Sequence, residues 1–514
     1  MKTNHRNIQR YSRAISLISV RTERIFIVAS CFLLSVFCLE SCKKFIDIPP
    51  PKSELVTVSV FNNNASATSA QVAIYAKMWD ASESYNLAVN MGLYADELNN
   101  YATDRDQKQV YSNGLEAINS FGWGALYGYS TNYYAYIYDA NAVINGLQTT
   151  AGCSAAVKQQ LTGEAYFIRA FWHFYLSDLY GPVPLVLTTN YTINATIART
   201  SRVGVLQQVI ADLKIAQSLL NSNYVDGSDT VTTTERVRPT KAAAEALLAR
   251  AYLYLGDYNS HNATDYQKAD SMATAVIGNG IYSLSLLGGV FLKNSSEAIW
   301  QLQTPSPAGW DTPDGQNFIL LAAPSSSGHS DNSTTISSQL MNSFEPNDQR
   351  KTIWIGSVME GTNTYYFPYK YKVSNELENQ EYEMVLRLGE QYLIRAEAKV
   401  HEDNIPGALS DLNMIRNRAG LPNYTGAQDA ASVLIAILHE RQVELFTEWG
   451  ARWFDLCRAY NAGLRVNATT VLGPPGNQCQ AKGGTWNSNN YQLLWPIPQN
   501  DISADPNLTQ NPGY

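Results

Sequence analysis

RPTKAAAEALLARAYLYLGDY, from Arg238 to Tyr258, decides the fold. It reads as a helix over about Thr240 to Leu255, with Pro239 at its start, where a missing N–H costs nothing, and Gly256 at its end. Its alanines are small enough for a second helix to approach closely. After Gly256-Asp257 and a polar insert comes YQKADSMATAVI (Tyr266 to Ile277), whose leading aromatic can fold back on the first helix. The same plan returns in YLIRAEAKVHEDNIPGALSDLNMIRNRAG, from Tyr392 to Gly420. Upstream, Leu161, Ala165, Ile168, Trp172, Tyr175 and Leu179 recur at steps of four and three, which builds one apolar helix face before Gly181-Pro182 stops it.

These units resemble tetratricopeptide helix pairs, which bury their apolar faces only by stacking on neighbours. At least one or two further pairs are therefore expected between Ala65 and Leu220. Between about Glu297 and Glu383 the helical period fails. There SPAGWDTPDGQNF and AAPSSSGHSDNS predict long loops with short strands. Helices return from Leu386 to about Ala462, and the last fifty residues, with Gly473-Pro474-Pro475-Gly476, read as mostly irregular. The fold class is thus mainly α: helix-pair repeats at 65–296 and 386–514 that support a loop-rich insertion at 297–385, all in one compact unit.

The N-terminal region has a different character. An apolar run from Ile25 to Leu39 follows a cationic stretch and stops at Glu40-Ser41-Cys42. That is the layout of a secretory signal over residues 1–41, and a cysteine directly after the cut resembles the lipobox of bacterial lipoproteins, so Cys42 is the expected lipidation site. A spanning helix is disfavoured, since about 15 apolar residues fall short of the roughly 20 a bilayer requires. Residues 42–64, with Pro49-Pro50-Pro51 and Asn62-Asn63-Asn64, read as a tether. Cutting before Cys42 removes six cations and two acids, which takes the formal charge from −8 to about −12. Such an acidic surface argues against nucleic acid, whose phosphates require clustered cations. Three remaining cysteines (Cys153, Cys457, Cys479) make no disulfide framework, although a Cys457–Cys479 pair is open to an oxidising compartment.

Chemistry-bearing motifs are scarce. Glu440, Arg441, Glu444, Glu448, Arg452, Asp455 and Arg458 could suggest paired catalytic carboxylates. Helical steps of three and four, however, bring arginines beside these acids and keep them ionised, which fits a structural ion network. Glu164, Arg169, Arg395 and Glu397 read the same way. The histidines are scattered and no metal-ligand spacing, GxSxG elbow or phosphate loop occurs. No catalytic residue, metal or cofactor is expected.

Binding candidates are aromatics and short polar residues in segments that do not read as packed helix. Phe121, Trp123 and Tyr127 sit among glycines; Trp310 lies beside Asp311 and Asp314; Asn99, Asn100, Tyr101 and Asp104 follow Asp96-Glu97. Rings that stack on a sugar face, beside groups that bond its hydroxyls, are the chemistry they offer. Tyr365 and Tyr366 are lesser candidates.

Six segments in order resemble the SusD/RagB family of outer-membrane lipoproteins. They are EAYFIRAFWHFYLSDLYGPVPL (Glu164 to Leu185), the opening stretch Arg238 to Tyr258, LRLGEQYLIRAEA (Leu386 to Ala398), LNMIRNRAGL (Leu412 to Leu421), ERQVELFTEWGARWFDLCR (Glu440 to Arg458), and LLWPIP with the terminal QNPGY. Ala451 departs from the family's frequent histidine before Arg-Trp. The resemblance implies four tetratricopeptide-like pairs carrying a looped region, and a non-enzymatic surface receptor that hands a glycan to a SusC-like TonB-dependent transporter. Peptide uptake is the alternative it leaves open, and a glycan-cleaving lipoprotein is a third reading.

Overall fold

The computed structural model describes residues 60–118, 132–305, 309–326, 332–376, 378–461 and 475–514. The signal, Cys42 and the tether as far as residue 59 lie outside them; the tether's expected end does not hold, because Phe61 is buried, Asn63 caps the first helix and Asn64 begins it. Residues Val60–Tyr514 form one unit. No helix among the described residues is long and apolar enough to cross a membrane.

The chain opens with α1 (Asn64–Asp80), α2 (Glu83–Tyr94), strand β1 (Leu98–Asn100), α3 (Arg105–Tyr111) and α4 (Tyr134–Thr149), and α1 packs with α4 as a first pair. Next come α5 (Ala155–Tyr180), β2 (Val183–Pro184), α6 (Tyr191–Asn194), β3 (Arg199–Thr200) and α7 (Arg202–Leu219), where α5 and α7 form the second pair. The third is α8 (Lys241–Tyr258) with α9 (Ala263–Ile277). The first and second pairs are the further pairs expected upstream of Leu220. Helix α5 starts where the Ser154 side chain accepts the Val157 N–H, and stops where Gly181 takes a φ of +73° that a Cβ would resist.

One boundary differs from the sequence reading. Helix α8 runs through Gly256 to Tyr258, and Gly256 serves the pair contact instead of ending it. A Cβ there would sit 2.6 Å from the Tyr266 ring, so the aromatic that folds back lands on the only residue type that admits it.

The insertion contains β4 (Ala298–Leu302), α10 (Pro313–Phe318), β5 (Thr334–Ile336), α11 (Ser338–Ser343), α12 (Gln349–Ile353), β6 (Ile355–Glu360), β7 (Asn363–Pro368) and β8 (Glu383–Arg387). Short helices accompany the expected strands. Its two ends meet, because β4 and β8 pair antiparallel with Ala298 opposite Arg387. The return to helix therefore comes at Leu388 and not Leu386. Strand β1 pairs antiparallel with β5, β2 with β3, and β6 with β7. The β6–β7 hairpin turns through Gly361 at a φ of +61°.

The fourth pair, α13 (Leu388–His401) and α14 (Ile405–Arg418), stacks on α9. Helices α15 (Ala430–Leu445) and α16 (Ala451–Asn461) close the repeats, followed by α17 (Pro475–Ala481) and α18 (Gln499–Ala504). The main core runs through the stack. Trp300 of β4 receives the ring edges of Tyr75, Phe167 and Phe171 at 5.7, 5.2 and 5.6 Å, which joins the insertion to the first two pairs. The thiols of Cys457 and Cys479 are free and buried.

Candidate functional site

Acids and arginines of the 440–458 segment form a buried ion network, as the sequence predicts, but with partners far away in sequence. Arg350 meets Glu440 at 2.7 Å and Glu444 at 3.0 Å, Arg387 meets Glu444 at 2.6 Å and Glu448 at 2.7 Å, and Arg418 bridges Glu297 and Glu444. Arg452 binds Asp96 with two bonds of 2.7 Å, while Asp455 takes Arg441 and Arg458. Burial alone would raise the Glu444 carboxyl; three guanidiniums outweigh it and hold the group well below the usual carboxylate range. An acid so held cannot donate a proton near neutrality. Glu164, Arg169, Arg395 and Glu397 likewise pair with other elements, through Arg238, Asp212, Asp411 and Arg458.

This network positions a polar and aromatic face on the insertion side. The Asp96–Arg452 pair fixes the chain just before β1, and the Glu97 carbonyl accepts the Ser337 N–H at 2.8 Å. Asn99 is consumed within the ladder, donating to Thr335 and Ile336. Asn100 makes a local turn by accepting the Ala102 N–H at 3.0 Å, and Asp104 caps α3 through the Gln107 N–H at 2.9 Å. The turn leaves Tyr101 37 % exposed, with its ring edge-on to Tyr365 at 5.9 Å and 79°.

Strand alternation supports the second ring. Phe367 is buried with Ile319 and Leu320 in a small cluster on which Tyr365 and Val358 rest, while Tyr366 points to the other side and is 40 % exposed. Leu321 and Met359 are also exposed.

Trp310 is half-buried and lies stacked on Trp79 at 6.3 Å and 18°. Its two acidic neighbours are not on the surface, which corrects the expectation for them. Asp311 is fully buried and accepts four backbone N–H groups, those of Glu378, Asn379 and Gln380 at 2.8 Å and Glu381 at 3.1 Å. Asp314 is buried too, against Glu383. Neither carboxylate is free to accept a sugar hydroxyl. Phe121, Trp123 and Tyr127 lie outside the described residues.

The structure thus unites Tyr101 and Tyr365, which are far apart in sequence, and withdraws Asp311 and Asp314. Tyr365 was a lesser candidate from the sequence, and nothing local placed it beside Tyr101.

Comparison with known proteins gives a consistent picture. Residues 188–514 match the SusD family, and residues 44–253 match a family described as "Starch-binding associating with outer membrane". SusD-like protein P25 of Formosa agariphila is 23% identical, covering 95% of this chain and 98% of its own. A SusD superfamily crystal structure from Bacteroides vulgatus superposes with a TM-score of 0.72 at 21% identity, over 88% of this chain and 100% of the other. B. fragilis NanU gives 0.69 at 21% identity, over 91% and 100%. The helix-pair stack, its insertion and the matched family region agree: the chain belongs to the SusD family.

Proposed function

We propose that this protein is a non-enzymatic cell-surface receptor that binds an oligosaccharide or polysaccharide and passes it to a SusC-like TonB-dependent transporter. The observation that carries the reading is the Tyr101–Tyr365 pair, an exposed ring and a half-buried one held nearly at right angles. Perpendicular rings offer stacking faces to a chain of sugar rings that bends between them, and the half-exposed Asn100 lies beside them for hydroxyl contacts. The outer face of Trp310 provides a further platform. A lipid on Cys42 anchors the receptor in the outer membrane, and a tethered receptor raises the local glycan concentration at the barrel. The ion-paired state of Glu440, Glu444 and Glu448 supports binding in place of hydrolysis.

The test is affinity electrophoresis against a panel of polysaccharides. Wild-type protein is retarded by at least one neutral glycan, and Tyr101→Ala with Tyr365→Ala is not. Retardation unchanged in the double variant overturns the site, and release of new reducing ends overturns the non-enzymatic reading.

A further inference from the structure

The third and fourth helix pairs meet through a cluster of ligating side chains that the proposed glycan face does not use. Glu397 and His401 stand one turn apart on α13 and so share a helix face, and Asp257 approaches them from the last turn of α8. Each of the three offers one ligand atom, and these atoms lie within 4.8 Å of one another. Asp257 and Glu397 are buried, while His401 is only half-buried, which gives the cluster a way in from solvent.

The surroundings fix these side chains in place. Arg458 takes both oxygens of Glu397, one of them at 2.8 Å, and Asp257 Oδ2 at 3.0 Å, while Tyr266 Oη donates to Asp257 Oδ1 at 2.8 Å. A carboxylate has about four lone-pair sites, so each acid keeps acceptor capacity beyond these bonds. The His401 ring lies flat against the Tyr266 ring, with centroids 3.9 Å apart and planes 6° from parallel. Burial holds the His401 imidazole below its ordinary range, which keeps it in the neutral form that ligates.

Charge favours a cation here. Asp257, Glu397 and Asp455 face Arg458 and Arg441, three acids against two guanidiniums. The cluster also sits at the C-terminal ends of α8 and α13, where aligned peptide dipoles add negative potential. Burial raises the Asp257 carboxyl in spite of Arg458, and the Glu397 charge adds to the rise.

We propose that Asp257, Glu397 and His401 bind a divalent transition-metal ion that clamps α8 to α13. An imidazole with two carboxylates suits zinc or iron better than calcium, which takes about six to eight oxygens. Ligands about 2.1 Å from one ion stand roughly 3–4 Å apart, so closing on it takes about 1 Å of side-chain movement. Arg458 and Tyr266 then act as the outer bonds that orient the two acids. The sequence shows only part of the set, in E-A-K-V-H from Glu397 to His401; the third ligand arrives from another helix pair.

Calorimetric titration of zinc chloride into the full chain, tag-free and stripped with chelator, tests the site at pH 7. One zinc binds, and at about a hundredfold excess over its Kd it raises the melting temperature by about 3 °C. His401→Gln weakens binding about tenfold or more and removes the rise, measured against the variant's own metal-free melting point. His439→Gln, at a histidine that contacts the Ser343 carbonyl, leaves both unchanged. Asp257→Asn repeats the loss from the other helix; where removing that buried charge prevents folding, Glu397→Asp, which keeps a charge for Arg458, takes its place. Cobalt chloride gives a second readout, a visible absorption of the bound ion in the wild type that His401→Gln shifts or abolishes. Zinc binding unchanged in His401→Gln, or no saturable zinc binding at all, overturns the proposal. Calcium chloride that raises the melting temperature as much as zinc does, with His401→Gln indifferent, overturns it as well.

Discussion

Glu444 shows how single residues are read differently by neighbours in sequence and neighbours in space. It lies on α15 among acids and arginines at helical spacing, yet the cations that hold it, Arg350, Arg387 and Arg418, all come from other elements. Removing the carboxylate leaves three guanidiniums short of a partner in the interior. Glu444→Ala is expected to cost about 3–5 kcal/mol in urea unfolding. Its pH signature follows from the lowered carboxyl: the contribution is present above the ordinary carboxylate range and lost as pH falls through the lowered value. Tyr101 and Tyr365 act by contact. Each alanine variant is expected to weaken glycan binding about tenfold, or ~1.4 kcal/mol, by isothermal calorimetry, with the melting temperature kept for Tyr101→Ala because that ring is exposed.

Elements meet at close approaches that one atom can spoil. The α8–α9 pair depends on Gly256, where a methyl group would lie 2.6 Å from the Tyr266 ring, and that ring is itself stacked on His401 of α13 at 3.9 Å. It has nowhere to retreat. Gly256→Ala should therefore destabilise by about 1–3 kcal/mol through overpacking, despite alanine's better helix propensity, and thermal melting reads the sign. Asp311 works between the loop before α10 and residues 378–381, where one carboxylate satisfies four amides. Asp311→Ala is expected to cost about 2–4 kcal/mol and to accelerate amide exchange at 378–381 before anywhere else. A surface carboxylate would show neither effect.

Across the whole molecule, the ion network ties the insertion to the repeats. Arg350 and Arg387 belong to the insertion, Arg418 to the fourth helix pair, and Glu440 and Glu444 to the closing helix. Tryptophan fluorescence and far-ultraviolet dichroism should therefore lose signal in one coincident thermal transition, since neither part keeps its buried charges paired without the other. A separate early loss of fluorescence would show that the insertion melts alone. Anchoring acts at the same scale: Cys42→Ala is expected to abolish glycan uptake in cells while glycan binding by the purified protein persists.

The sequence by itself determined the repeats, because a helix face is written in steps of three and four within some twenty residues, and small residues at helix contacts are equally local. It also pointed to the 440–458 charges as a structural ion network, although the cations that hold Glu440, Glu444 and Glu448 come from other elements and not from the arginines beside them. Helix α8 continuing through Gly256, and Glu383 to Arg387 becoming strand, depended on partners that arrive from elsewhere in the chain, namely the Tyr266 ring and β4. The site was legible only in part. Tyr101 was marked by its position in a polar loop, but its meeting with Tyr365 is a product of β1–β5 pairing and the β6–β7 hairpin. Asp311 and Asp314 looked like surface carboxylates in a Gly- and Pro-rich loop, and folding turned both inward. Local pattern fixes which face of an element seeks the interior; only tertiary packing decides what a loop side chain meets there, because loop residues follow no period that would forecast their direction.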